Sequence, residues 1–418
     1  MAADDHRSVR FWTADAARAT ALPRTSTDPG DRHGPGPRPL AAPNPPPKQP
    51  QSPQSARPPK PPTAAGHAPR SPRPPSGSEF TPLLRTVKEQ GLLDRRPGWY
   101  ARDTAVTVLA LAAVFVGLAL LGPSWWALFL ALPLALFSAR AAFLGHDAGH
   151  AQVTGNRRLG RAVQLVHANL LLGMSREWWN DKHNRHHAHP NHLDKDPDVA
   201  ADVLVFAAHQ TTGRTGLRRW LTRHQAWLFF PLTTLEGIAL KVYGVRALLS
   251  PEGPYRTRRE RLLEGGLLLA HLTGYTALLL TLLDPLQALV FALLHQMLLG
   301  VHLGMAFAPN HKGMEMPDAH PDGDSWGHLR RQVLTSRNIR GGRLTDWFLG
   351  GLNYQVEHHL FPSMPRPHLR LAQPAVRAHC QALGIPYTET GFLDSYRQAL
   401  GHLHEVGAPL RAEGGSAA

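Results

Sequence analysis

The sequence predicts an all-α integral membrane protein, with four transmembrane helices as two hairpins, interfacial helices and a cytoplasmic helical cap. Three observations carry this. Apolar residues are gathered in charge-free blocks of near-membrane length, two-residue turns join the blocks in pairs, and histidines recur in clusters just beyond them. The mean hydropathy of -0.26 averages those blocks with a Pro-rich and charged remainder, and so hides them.

In chain order, residues 1–80 come first, and they hold half of the chain's 38 prolines among Ser, Ala, Gly and Arg. No periodic apolar face exists there to offset the entropy of ordering, so a disordered, basic tail is expected. It has no apolar h-region followed by a small-residue cleavage site, and Asp4, Asp5, Asp15, Asp28 and Asp31 argue against a mitochondrial transit peptide. Much of the formal charge of +14 lies in and just after this tail. The other basic residues cluster beside apolar blocks, where positive charge sets membrane orientation. Membrane lipids, and no nucleic acid, are therefore the expected partners of a chain with pI near 10.5.

Ala105–Leu121 runs 17 residues without a charge, Ser124–Ala139 another 16, and only Gly122 and Pro123 separate them. A second hairpin runs from Gly265 to Leu283 and from Leu286 to Ala308, turning at Asp284 and Pro285. With about 20 residues needed to cross the hydrocarbon, spans are expected at 104–121, 124–143, 264–283 and 286–308. Lys88, Arg95, Arg96 and Arg102 precede the first hairpin and Arg140, Arg157, Arg158 and Arg161 follow it, whereas the turns carry neither Lys nor Arg. The positive-inside rule puts both termini and the long loops on the cytoplasmic side.

Two further apolar stretches, about 160–174 and 227–245, are expected as interfacial helices. The first is too short to span, and Glu236 and Lys241 would be expensive at the bilayer centre in the second. Parity supports this, because a crossing at 227–245 would put the second and third histidine clusters on opposite faces. The membrane domain is thus expected over 81–395, with 396–418 a C-terminal tail.

The clusters are HDAGH at 146–150, HNRHH at 183–187 and QVEHH at 355–359. On a helix, His146 and His150 share a face; His183, His186 and His187 repeat the i, i+3, i+4 spacing, as do Gln355, His358 and His359. One more histidine, His311 in APNHKGM, falls just past the fourth span, at the depth of His146. Four spans put every cluster on one side, so eight ligands are expected at one metal centre: His146, His150, His183, His186, His187, His311, His358 and His359. Imidazole accepts Fe, Zn, Cu and Ni alike, and about four nitrogens per metal with positions left open suits two iron ions that activate molecular oxygen. The single cysteine, Cys380, excludes an internal disulfide, a CxxC pair and an iron–sulfur cluster held by this chain alone. HExxH does not occur, which disfavours a metalloprotease.

The order HDAGH, HNRHH, NYQVEHHLFP, with membrane hairpins between, resembles the integral-membrane fatty acid desaturases over about residues 80–395. Gln in place of the first His of the third box is similar to the front-end and linoleoyl-CoA desaturase-like members, without a fused cytochrome b5 domain. WWNDKHNRHHAHPNHLDKDPDV and FAPNHKGM also look like bacterial members. The resemblance implies a four-helix membrane stem with a cytoplasmic cap, a non-haem diiron centre, and oxygen-dependent insertion of a double bond into an acyl chain. Asp147, Asp194, Asp196, Asp198 and Glu357 then read as partners that hold ring tautomers, and Gln355 and Asn310 as hydrogen-bonding groups near the metal.

The nearest string to an HPGG haem motif is His320-Pro-Asp-Gly, with no room for a haem domain around it. Electrons are therefore expected from a separate ferredoxin, flavoprotein reductase or cytochrome b5-like donor, with an acidic donor favoured by the basic cytoplasmic surface. Trp178, Trp179, Phe348 and Tyr354 are candidate liners of an acyl tunnel. Lys182, Arg185 and Lys312 are candidate holders of a CoA or phospholipid phosphate, acyl-CoA, acyl-lipid and acyl carrier protein remaining open as substrate carriers. Two other activities are consistent with parts of the pattern. One is hydroxylation or ketolation of a lipid, alkane or carotenoid by the same metal chemistry. The other is a metal carrier or sensor, which would use the in-span residues His271, His295 and His302.

Overall fold

The computed structural model describes residues 78–412. The expected 1–80 tail lies outside the described residues except at its end, where a helix already begins at Phe80. This first helix, α1 (Phe80–Glu89), places Leu83 and Val87 four residues apart, and both are buried with Leu369 and Val376.

Among the described residues, four helices are long and apolar enough to cross a membrane: α2 (Pro97–Leu121), α3 (Ala131–Gly149, led in by a 3-10 turn at Trp125–Leu130), α9 (Arg258–Leu282) and α10 (Pro285–His311). They outrun the charge-free cores at their termini. Pro97 and Pro285 occupy first-turn positions where no N–H is needed, and Thr257 Oγ1 accepts the Glu260 N–H at 3.2 Å, so helix starts before the apolar run does. Helix α10 likewise continues past the expected end at 308 to His311. Helices α3 and α10 form the inner pair, with Ala135, Ala139 and Ala142 packed in one cluster with Leu299, Leu303 and Ala306. Leu109 and Leu120 of α2 and Leu269 and Leu280 of α9 stay exposed, the pattern of helices whose outer surface meets lipid.

The two stretches expected as interfacial helices are helical, and each is irregular. Helix α4 (Arg157–Gln164) runs into a π-helical stretch, Leu165–Leu172, that ends at Gly173 with φ +75°. Ala168, Asn169, Leu172 and Met174 are buried there, so this segment packs between α3 and α9. The 227–245 stretch is two helices, α7 (Gln225–Thr233) and α8 (Glu236–Leu249), bent by 72°. Helix α8 approaches α10 closely: a Cβ on Gly237 would stand 2.3 Å from the Gln296 carbonyl, and one on Gly300 2.3 Å from that of Thr233. Lys241, expected to be costly in an apolar setting, donates to the Leu172 carbonyl at 3.0 Å, where the π-helical stretch leaves its last acceptors free.

The polar elements are α5 (Arg176–Ala188), α6 (Gly216–Arg223), α11 (His328–Leu334), α12 (Arg343–Phe348), α13 (Gln355–Leu360) and α14 (Arg366–Ala382). The all-helical expectation has one small exception, a parallel bridge between β1 (Asn338–Ile339) and β2 (Glu389–Thr390). The expected tail at 396–418 is also corrected. Residues from 392 form α15 (Phe392–Val406) and α16 (Ala408–Ala412), and Tyr396 and Leu403 are buried with Phe206 and Phe229. Phe392, Tyr396, Leu400 and Leu403 recur at three- and four-residue spacing and give this segment a face to bury. Residues 413–418 lie outside the described ones.

Candidate metal centre

Helix geometry delivers the histidines. His146 lies in the last turn of α3 and His150 caps it; His183, His186 and His187 sit on α5; His311 ends α10; His358 and His359 sit on α13. Ser175 starts α5 by accepting the Trp178 N–H at 3.2 Å.

All eight expected ligands come together, in two adjacent groups. In the first, nitrogens of His146, His150, His183, His187 and His358 all lie within 4.8 Å of one another; in the second, those of His186, His311 and His359 do. The groups touch where the His187 and His359 rings stack with centroids 4.2 Å apart. Within the first, Nε2 atoms are 2.9 Å apart for His150 and His183, 3.1 Å for His183 and His187, and 3.1 Å for His187 and His358. Imidazoles bound to one metal at about 2.1 Å have neighbouring nitrogens about 3 Å apart, so these spacings fit a shared ion. Buried Nε2 atoms of His146 and His359 have no hydrogen-bond partner. Buried nitrogens without partners cost stability unless something else satisfies them, so the donor set and its orphaned atoms fit metal ions.

The opposite ring nitrogens are fixed from behind. His146 Nδ1 lies 3.1 Å from Asp147 Oδ1, His186 Nδ1 2.9 Å from Asp196 Oδ2, His311 Nδ1 2.9 Å from the Thr335 carbonyl, and His359 Nδ1 2.8 Å from Gln332 Oε1. Each acceptor calls for an Nδ1–H donor, which leaves Nε2 as the lone pair facing the group. Burial, then the neighbouring rings, hold His150, His183, His187, His358 and His359 well below the usual imidazole range and so keep them neutral. His186 differs: burial opposes its charge, yet Asp196 and Asp198 hold it above that range.

Gln355 and Asn310 are both buried beside the second group. Gln355 Nε2 lies 2.9 Å from His311 Nε2, and its Oε1 accepts from Asn310 Nδ2 at 3.2 Å. Of the expected carboxylate partners, Asp147, Asp196 and Asp198 reach a ring, Asp198 Oδ2 lying 3.5 Å from His186 Nδ1. Asp194 instead groups with His192 and Asp318. Glu357 faces away from the histidines, accepting from Asn338 Nδ2 at 2.6 Å and Tyr387 Oη at 2.7 Å, while burial pushes its carboxyl up to about 7.

The other candidates divide similarly. Trp179 stacks on His183 at 4.2 Å and meets His146 edge-on, whereas Trp178 stacks on Tyr243 and Phe348 on His302. Tyr354 is buried in the core with Leu83 and Leu369. Lys182 pairs with Asp198, Lys312 donates to the Asp198 carbonyl and lies over the Phe206 ring, and Arg185 pairs with Asp181 on its own helix. All three cations are thus engaged within the chain. His271, His295 and His302 hydrogen-bond to Leu170, to Ser138 and Tyr275, and to Phe348, and none joins a potential metal group among the described residues.

Sequence reading missed Gln332, Thr335 and Arg366, the last within 2.6 Å of Asp147. Gln332 and Thr335 follow His328, Arg330 and Arg331 in a segment that does not repeat the spacing of the histidine clusters, and Thr335 acts through its backbone, so no signal marked them.

The sequence profile described as fatty acid desaturase matches residues 123–391, which include all eight histidines. The chain belongs to the fatty acid desaturase family. It is similar to Delta(8)-fatty-acid desaturase 2 of Arabidopsis thaliana, 29% identical over 322 residues that cover 74% of this chain and 70% of that one. It is 31% identical to acyl-lipid (9-3)-desaturase of Physcomitrium patens over 65% of this chain and 52% of that one, so it spans about half the length of that relative. A third relative is Delta(6)-fatty-acid desaturase fat-3 of Caenorhabditis elegans, 28% identical over 80% of this chain and 76% of that one. This desaturase is accordingly an oxidoreductase, a membrane fatty acyl desaturase.

Proposed function

We propose that this desaturase inserts a cis double bond into a long acyl chain with a diiron centre. His146, His150, His183, His187 and His358 would hold one iron, and His186, His311 and His359 the other. The observation that carries this is the convergence of eight imidazoles, most of them neutral, with four Nδ1 atoms held by Asp147, Asp196, Gln332 and the Thr335 carbonyl.

An unactivated methylene has no acidic proton, so acid–base groups cannot open it; two irons with molecular oxygen supply an oxidant able to remove its hydrogens. In balance, a saturated pair of methylenes, one oxygen molecule, two electrons and two protons give an alkene and two waters. The chain's own residues supply orientation. The Nδ1 partners fix four of the rings, Asn310 aims the Gln355 amide at the second group, and Trp179 packs over the first. Gln355 stands where a fourth histidine would complete the second group, leaving that position to a weaker or water-mediated contact.

The electrons would come from a separate ferredoxin, flavoprotein reductase or cytochrome b5-like protein. The four long helices would form a membrane stem of two hairpins, with termini and metal centre on the cytoplasmic side. Helices α5 and α11–α15 would build the cap, and α7–α8 would lie along the interface, a placement that parity and the charges of Glu236 and Lys241 support. Substrate would be an acyl-CoA or acyl-lipid, with the new bond at the sixth or eighth carbon, as the relatives' names suggest.

The test is expression in a host of defined fatty acids with a supplied donor under isotopically labelled oxygen, read by mass spectrometry. The proposal expects a product two hydrogens lighter, with no label in the acyl chain. Labelled oxygen in the product would make this a hydroxylase or ketolase, and the fragment masses would place the bond.

A further inference from the structure

A buried ion quartet joins the first histidine box to a helix that follows the third. Asp103 lies on α2, Arg140 and Asp147 on α3, and Arg366 opens α14. Arg140 Nη2 donates to Asp103 Oδ2 at 2.6 Å and its Nη1 to the Trp347 carbonyl at 2.9 Å. Arg366 reaches Asp103 Oδ2 at 3.4 Å through Nη1 and Asp147 Oδ2 at 2.6 Å through Nη2. The other oxygen of Asp147 faces His146 Nδ1 at 3.1 Å. The Arg366 and Asp147 side chains are only 5% and 3% exposed.

The surroundings are built for this arginine. Its guanidinium lies 5.5 Å from the Trp99 ring and 5.9 Å from that of Phe143. Its backbone N–H donates to Tyr100 Oη at 3.0 Å, and Tyr100 donates onward to Gln152. Gly351, at φ +78°, leaves room for the stem, since a Cβ there would stand 2.6 Å from Arg366 Cγ.

We propose that Arg366 is a positioning residue for iron binding: it holds the Asp147 carboxylate aimed at His146, and through Asp147 it fixes the His146 ring with Nε2 toward the first group. The charges balance only with Arg366 present, two carboxylates against two guanidinium ions. Without it one buried carboxylate has no cation of its own and loses the side chain that orients it. A carboxylate free to turn no longer fixes the ring of His146. A lysine keeps the charge, but it cannot fork between Asp103 and Asp147.

This inference rests on the diiron reading, so the experiment reads iron directly. Metal-free full-length protein is titrated with ferrous ion in detergent without oxygen, and melting temperature is followed alongside. Arg366→Gln should weaken binding at one of the two irons by about tenfold or more, as loss of a ligand's hydrogen-bonding partner does. Asp147→Asn should do the same, and the double variant should bind no more weakly than Asp147→Asn alone, because Arg366 acts through Asp147. Arg366→Lys should fall between, and it serves as the probe where Arg366→Gln fails to fold. Wild-type iron affinity in the folded fraction of the Arg366 variants, with only the melting temperature lowered, would overturn the proposal, as would additive losses in the double variant. A wild-type chain that binds no iron would instead sink the diiron reading beneath it.

Discussion

The two histidine groups are neighbours built on different plans. The first has five imidazoles, three of them (His150, His183 and His187) only half-buried, and its one carboxylate partner, Asp147, is balanced by Arg366. The second has three buried imidazoles held by two carboxylates, Asp196 and Asp198, both on His186, and by two uncharged acceptors, Gln332 and the Thr335 carbonyl, with Gln355 beside them. The first is rich in ligands and open at its edge; the second is sparse and closed. A metal held by fewer protein ligands keeps positions free for other donors. With iron bound as proposed, the first group would retain its metal and the second would leave positions open.

Removing a ligand should break the contrast most. His187→Ala takes a nitrogen from the crowded group and its stacking partner from His359, so desaturation should fall to background while the chain stays in the membrane. His359→Ala should also abolish turnover, yet leave the five-histidine group able to hold its iron, which metal analysis of the two variants would separate. Equal iron loss in both would mean the groups are one unit.

Gln355→His should sharpen the contrast. A fourth imidazole would tighten iron in the second group about tenfold or more and lower turnover by filling an open position, both read in one preparation. Gln332→Leu removes the acceptor behind His359, and should cost about ten- to a hundredfold in affinity at the second iron alone. Loss at both irons would show that the two groups share their supports.

The smallest effect concerns pH in the metal-free protein. His183, His187, His358 and His359 hold protons less readily when folded than when unfolded, where imidazole titrates near about 6.5. The unfolded chain thus binds more protons as pH falls. The stability these rings permit is present above about 6.5 and lost below it, so melting temperatures should drop between about pH 7 and about pH 5. Bound metal should raise the melting temperature and carry that slope to lower pH, because protons then compete with the ion for the same nitrogens.

The long helices were legible because a charge-free run is a local property, and the grouping of the histidines because helical spacing states which rings share a face. Depth arguments alone joined His311 to residues far away in sequence. What the sequence left out is what depends on tertiary contact. The bend at Thr234 and Leu235 follows from α8 crossing α10 at Gly237 and Gly300, and the burial of Leu165–Met174 from its place between two helices. Helix α15 carries a regular stripe at Phe392, Tyr396, Leu400 and Leu403, but what that stripe covers, Phe206 and Phe229, lies far away in sequence. Gln332, Thr335 and Arg366 carry no pattern of their own, and gain meaning only from the ring or carboxylate they meet. Glu357 was misplaced for the complementary reason: on a short helix its neighbours in sequence point into the site while it points to Asn338 and Tyr387.

The most direct test of the central claim is the iron content of the folded, full-length protein, loaded without oxygen and freed of loosely bound metal. About two irons per chain are expected, one retained more tightly than the other. A single iron per chain, or two lost together at one concentration of chelator, would contradict a centre of two unlike groups.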